Sequence, residues 1–109
     1  MRVLFDQGFP SSLKSFLIGK EVSTLYQLDW SEMSNGELID RAEKEGFDCF
    51  VTTDKNLNYQ QNLTAREISI VVLPTPSWPQ LKAHGAHVDS IVSSTSSSDY
   101  IEVTLPHST

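Results

Sequence analysis

Cysteine is nearly absent from this 109-residue chain: Cys49 stands alone, so neither an intrachain disulfide nor a multi-cysteine zinc site can form. Long apolar runs are missing as well. No window approaches the ~18 consecutive apolar residues that a membrane span needs. The opening run Met1-Arg-Val-Leu-Phe is cut short by Asp6, so no secretory signal is expected. Positive charge is scarce. Eight Lys+Arg stand against fourteen Asp+Glu, a net charge of −6 at pH 7. That balance argues against gripping nucleic acid by bulk positive charge, because affinity of that kind grows with the number of phosphates neutralised. Nor do the five glycines form a GxGxxG or GxxxxGK[ST] phosphate-cradling loop. What is present, 39% apolar and 20% charged residues, is an ordinary globular balance. At 12.2 kDa the chain is long enough for one hydrophobic core. A small cytoplasmic domain is expected, with no membrane partner.

The apolar pattern alternates between short strand-like runs and helical stripes. Residues 2–5 form an apolar run that stops at Asp6-Gln7-Gly8. Pro10-Ser11-Ser12 offers helix-start chemistry, and Leu13, Phe16 and Leu17 recur at helical spacing before Gly19. Residues 21–25 read as a second strand. Ser34 or Asn35 caps a second helix, with Glu37 in the first turn, where the helix dipole favours an acid. Leu38, Ile39 and Ala42 form its apolar stripe, and Gly46 ends it. Residues 48–53 are a third strand that stops at Asp54, and 55–62 read as a short helix or an ordered loop. Residues 68–73 are the most strand-like run and read as a buried central strand. After Pro74, Pro76 and Pro79 a helix is expected from about Trp78 to Val92. A serine-rich loop over 93–98 leads into a last, edge strand over 100–105. This order predicts an α/β fold: a three-layer α/β/α sandwich around a mainly parallel sheet of four to five strands, linked by right-handed crossovers. Residues 1–105 are expected to form one domain, with a short tail over 106–109.

Ligands of such sheets bind beyond the carboxyl ends of the strands, at a switch in strand order. Asp6 follows the first strand and Asp54 the third, so a parallel sheet delivers both carboxylates to one edge. Glu37 starts its helix from a loop on that same edge. The three acids are 31 and 17 residues apart in sequence, yet the topology brings them together. Mg²⁺ and Mn²⁺ suit such oxygen donors, since Mg²⁺ keeps several waters and needs only one or two carboxylates plus substrate phosphate. A phosphodiester hydrolase can be built this way. The same residues also suit plainer roles: an Asp after a strand serves turns and caps, and Glu37 complements a helix dipole.

The stretches VLFDQGFP, NGELIDRAEKEGFDCFVTTDKNL and ISIVVLP, within residues 1 to 92, resemble the PIN-like domains of the compact bacterial type, a group of nucleases associated with toxin–antitoxin pairs. The resemblance implies a metal-dependent endoribonuclease with Mg²⁺ or Mn²⁺ as cofactor and RNA as substrate. It also implies an antitoxin protein or a second copy of the chain as partner. By it, Asp6, Glu37 and Asp54 are the catalytic and metal-holding acids. Two departures stand out. Asn35 occupies a place that is often acidic in the compact type. Lys55, Asn56 and Asn58 occupy the neighbourhood where many PIN domains carry a fourth acid, and Asp40, one helical turn after Glu37, is a candidate replacement. The alternative is a non-catalytic PIN-like module that binds a partner through the Trp30 loop or the proline-rich segment.

Around these acids, Gln7, Lys55, Asn58 and Tyr59 are candidate substrate-binding residues. Amides can bond to phosphate, sugar or base edges, and Tyr59 can stack on an unpaired base. Equally, such amides can cap their own backbone, and Lys55 can be an ordinary surface lysine. Trp30 either marks a contact or covers the edge of the core. His84, His87 and His107 form no credible metal set. Cys49, inside a strand, reads as a small core residue.

Overall fold

The apolar runs of the three central strands are buried on both faces, whereas the two edge strands are only partly covered. The computed structural model describes residues 1–55, 57 and 66–104, with β1 (Arg2–Phe5), β2 (Glu21–Thr24), β3 (Cys49–Thr52), β4 (Ser69–Val72) and β5 (Tyr100–Glu102). β3 and β4 are buried along their whole length, as expected of central strands in a parallel sheet. All five strands pair in parallel in the order β2-β1-β3-β4-β5. Alternate residues feed opposite faces. On one face Leu4, Phe50, Ile70 and Val72 pack under Leu38, Ile39 and Ala42 of the second helix. On the other, Val3, Phe5, Val51 and Val71 pack under Leu13, Leu17, Leu81, Val88 and Val92. The result is a three-layer α/β/α sandwich.

Helices sit where the sequence places them, with local differences. Residues 11–16 wind as a 3₁₀ helix (Ser11–Phe16). A single turn, α1 (Leu25–Leu28), follows β2 directly, its start closed by a capping box between Thr24 and Gln27. α2 (Asn35–Lys44) takes Ser34 as its N-cap, and Gly46, at φ +85°, supplies the left-handed residue that ends it. The helix expected over 78–92 is two helices, α3 (Trp78–Ala83) and α4 (Gly85–Ser94). The break falls where Gly85 meets the ring of Phe16 too closely for any side chain.

One expectation about connectivity does not hold. The β1–β2 connection, through the 3₁₀ helix, and the β4–β5 connection, through α3 and α4, cover the same face. Yet they step in opposite directions along the sheet, so they have opposite hands and cannot both be right-handed, the usual case. Packing decides this. The two connections lie side by side, with Lys20 Nζ 2.6 Å from Asp89 Oδ1 and the Phe16 and Trp78 rings 5.9 Å apart.

Candidate functional site

The strand order reverses between β1 and β3: β1 leads outward to β2, whereas β3 leads the other way to β4. In doubly wound sheets of this order the ligand crevice opens at that switch point. Asp6 and Asp54 stand there. Asp6 continues the β1–β3 ladder by one bond, donating its N–H to the Val51 carbonyl at 2.9 Å, and then the chain turns. Asp54 follows β3 after one intervening residue. The backbone therefore sets both acids before any side chain interacts.

Thr52, the last residue of β3, joins them. Its hydroxyl donates to Asp6 Oδ2 at 2.6 Å and accepts the Asp54 N–H at 3.1 Å. Thr52 is only 1% exposed, so the bridge is buried at this edge of the sheet. The other oxygen of Asp6, Oδ1, accepts the Gln7 N–H at 2.8 Å. Asp54 Oδ2 accepts from Asn35 Nδ2 at 3.3 Å, which ties the acid to the start of α2. Both carboxylates are partly exposed.

The remaining candidates divide. Glu37 lies in the first turn of α2 and is exposed, and its N–H donates to the capping Ser34 hydroxyl at 3.4 Å. Among the described residues, which include all fourteen acids, no group of three His, Cys, Asp or Glu side chains could hold a metal ion. Gln7 spends its amide nitrogen on the Ser31 carbonyl at 3.0 Å, stitching the loop after β1 to the loop before α2. Lys55 is exposed beside Asp54. Asn58 and Tyr59 lie outside the described residues.

Two of the side readings resolve. Asp40 is engaged with Arg66, which also reaches Glu43 at 3.1 Å, and that guanidinium holds its carboxyl below the usual value of 3.8. It therefore serves the seam between α2 and the approach to β4, away from the crevice. Trp30 is 7% exposed, edge-on to Phe47 at 6.0 Å and covered by the Arg41 guanidinium at 5.3 Å. It closes the core edge and offers no contact surface. Sequence reasoning missed Thr52 as a site residue, because a threonine in a strand carries no signal of its partner until the neighbouring strand is known. Asn35, read from the sequence as a candidate N-cap and as standing in a place that is often acidic, instead donates to Asp54, and Ser34 is the cap.

Comparison with family models, with curated proteins and with solved structures gives no match.

Proposed function

We propose that this chain is a PIN-like, metal-dependent endoribonuclease that hydrolyses RNA phosphodiesters. The supporting observation is the pair Asp6 and Asp54 at the switch point, locked together through the buried Thr52 hydroxyl. A divalent ion fits this donor set. Mg²⁺ needs only one or two carboxylates, the rest of its shell being water and substrate phosphate, and two partly exposed carboxylates on one edge of the sheet match that demand. Asp6 and Asp54 would hold the ion, with Mn²⁺ as the alternative to Mg²⁺. When bound, such an ion neutralises phosphate charge and acidifies water. Thr52 and Asn35 keep the two carboxylates oriented, and Glu37, at the start of α2, would orient the attacking water and accept its proton at a carboxylate oxygen. With a net charge of −6, substrate is recruited by local contacts at the crevice, Lys55 among them, and not by a basic face.

The test is cleavage of a labelled single-stranded RNA panel with Mg²⁺ or Mn²⁺, with EDTA and an Asp6→Ala/Asp54→Ala double variant as controls. Cutting that requires metal and disappears in the variant is the expected result. A folded protein that cuts none of the RNAs refutes the nuclease reading.

The second reading, a partner-binding module, is favoured by one observation: Ile18 and Tyr26, 79% and 88% exposed, flank the edge strand β2. An antitoxin protein or a second copy would dock there, whether or not the crevice is catalytic. Sedimentation of the protein with and without Ile18→Ser/Tyr26→Ser checks the second copy. An unchanged mass at every concentration refutes it. No helix among the described residues is long and apolar enough to cross a membrane.

A further inference from the structure

β2 is an edge strand, and the side it turns away from β1 is nearly closed. Its register sets Val22 beside Val3 and Ser23 beside Leu4, and the Glu21 N–H donates to the Met1 carbonyl at 3.0 Å. Alternate residues of a strand bond to a given parallel neighbour, so Glu21 and Ser23 face β1 whereas Val22 and Thr24 face outward. Thr24 is already engaged. Its N–H donates to Gln27 Oε1 at 3.0 Å, and as N-cap of α1 it gives its carbonyl to the helix. Val22 is left as the residue of β2 whose N–H and C=O both face out, a single residue of open edge.

Ile18 and Tyr26, the two side chains left exposed beside this edge, stand four residues before and four residues after Val22. That spacing is self-complementary. In an antiparallel pairing of β2 with a two-fold copy centred on Val22, a residue before the centre faces the residue equally far after it. Ile18 then meets the partner's Tyr26, twice over, while two N–H···O=C bonds join the two Val22 residues and satisfy both open groups in each copy. A longer foreign strand finds no more backbone to bond, because α1 begins at Leu25 and the Lys20 N–H turns inward to the Leu17 carbonyl. Charge also permits a copy here. The chain carries −6, yet residues 11–28 hold only two lysines and one glutamate, with Lys20 paired to Asp89 and Glu21 to Arg2, so no acids are set against each other. Tyr26 alone supplies on the order of 200 Å² per copy. With Ile18, and counted on both copies, that is more than half of the roughly 1,000 Å² a specific interface needs. The β2 edge between them supplies the rest, as suits a weak, reversible dimer.

We infer that this chain forms a two-fold dimer by antiparallel β2–β2 pairing centred on Val22, which joins the two five-stranded sheets into one and sets Ile18 of each copy against the partner's Tyr26. This rests on the reading of the β2 edge as a docking surface and makes its occupant a second copy in one defined register. It is independent of any chemistry at the opposite, carboxyl-end crevice.

The experiment pairs sedimentation of the full chain with disulfide trapping of the register. Glu21 and the partner's Ser23 fall opposite each other as a non-hydrogen-bonded pair, with Cα atoms about 4.5 Å apart, a distance a disulfide spans. Two Glu21 residues, or two Ser23 residues, are diagonal neighbours about 7–8 Å apart and lie beyond its reach. Glu21→Cys and a size-tagged Ser23→Cys are therefore oxidised separately and mixed, with wild type as the control, since its own Cys49 is fully buried. The expected result is a wild type in concentration-dependent monomer–dimer equilibrium and a mixed disulfide that outweighs both same-residue disulfides several-fold. Ile18→Ser and Tyr26→Ser, each alone, weaken association at least about tenfold. A dimer in which the mixed disulfide has no such excess, or which neither serine variant weakens, overturns this register while leaving a second copy as partner. A wild type that stays monomeric at every concentration overturns both.

Discussion

Gly85 opens α4 directly against the aromatic ring of Phe16, and a methyl group there has nowhere to go. A Cβ built on Gly85 falls under 3.0 Å from three ring carbons, with Cδ2 at 2.6 Å. Carbon atoms prefer about 3.5–4.0 Å, so the ring must retreat by roughly 1 Å. It cannot retreat freely, because the Trp78 ring sits 5.9 Å away and the backbone of the 3₁₀ helix is pinned by Leu13 and Leu17 in the core. Overpacking of this kind costs about 1–3 kcal/mol. The helix-propensity gain of alanine over glycine, about 1 kcal/mol in a helix interior, is smaller at a first-turn position and offsets only part of this. Gly85→Ala is therefore expected to destabilise by about 1–2 kcal/mol, and to lower the melting temperature by about 5–15 °C at the 4–8 °C per kcal/mol typical of a domain this size. Urea denaturation at unchanged slope is the assay, with melting as a second probe. Restoring space with Phe16→Leu in the alanine background should recover part of the loss. An alanine variant as stable as wild type refutes the claim that this contact holds the 3₁₀ helix and α4 together.

Two further perturbations test other parts of the packing. Lys20→Met leaves Asp89 without its partner where the lysine side chain is only 8% exposed; a loss of about 1–3 kcal/mol in urea denaturation is expected, and no loss means that the pair is ornamental. Burial pushes the Cys49 thiol up to about 11 from its usual 9.0, so the protonated form is the one the fold favours. Its contribution to stability is intact below pH 9 and is lost as pH rises towards 11. A thiol reagent at pH 8 should label Cys49 only as fast as the protein opens, and rapid labelling of the native protein contradicts the burial.

Much of this architecture was legible because it depends on short-range patterns. The runs at 2–5, 49–52 and 69–72 are apolar, bounded by turn residues, and too short for buried helices. Their alternation with the stripe of Leu38, Ile39 and Ala42 leaves a parallel sheet as the economical answer. Asp6 and Asp54 could be placed on one edge without coordinates, since parallel strands end on the same side. Asp40 and Trp30 were not legible. Asp40 became a partner of Arg66, 26 residues away, and Trp30 turned inward onto Phe47. Nothing local to either residue announces a partner that only chain folding brings near.

The sequence by itself determined the strands, most of the helices, the parallel class and the edge on which the acids emerge, because periodicity, caps and glycine punctuation act within a few residues. Tertiary structure alone decided the order β2-β1-β3-β4-β5 and therefore the switch point, the opposite hands of two crossovers over one face, and the hydroxyl bridge from Thr52 to both acids. Those depend on which apolar faces bury best against each other across the whole chain. A residue 46 positions from Asp6 acquires its role only when that burial sets β3 beside β1.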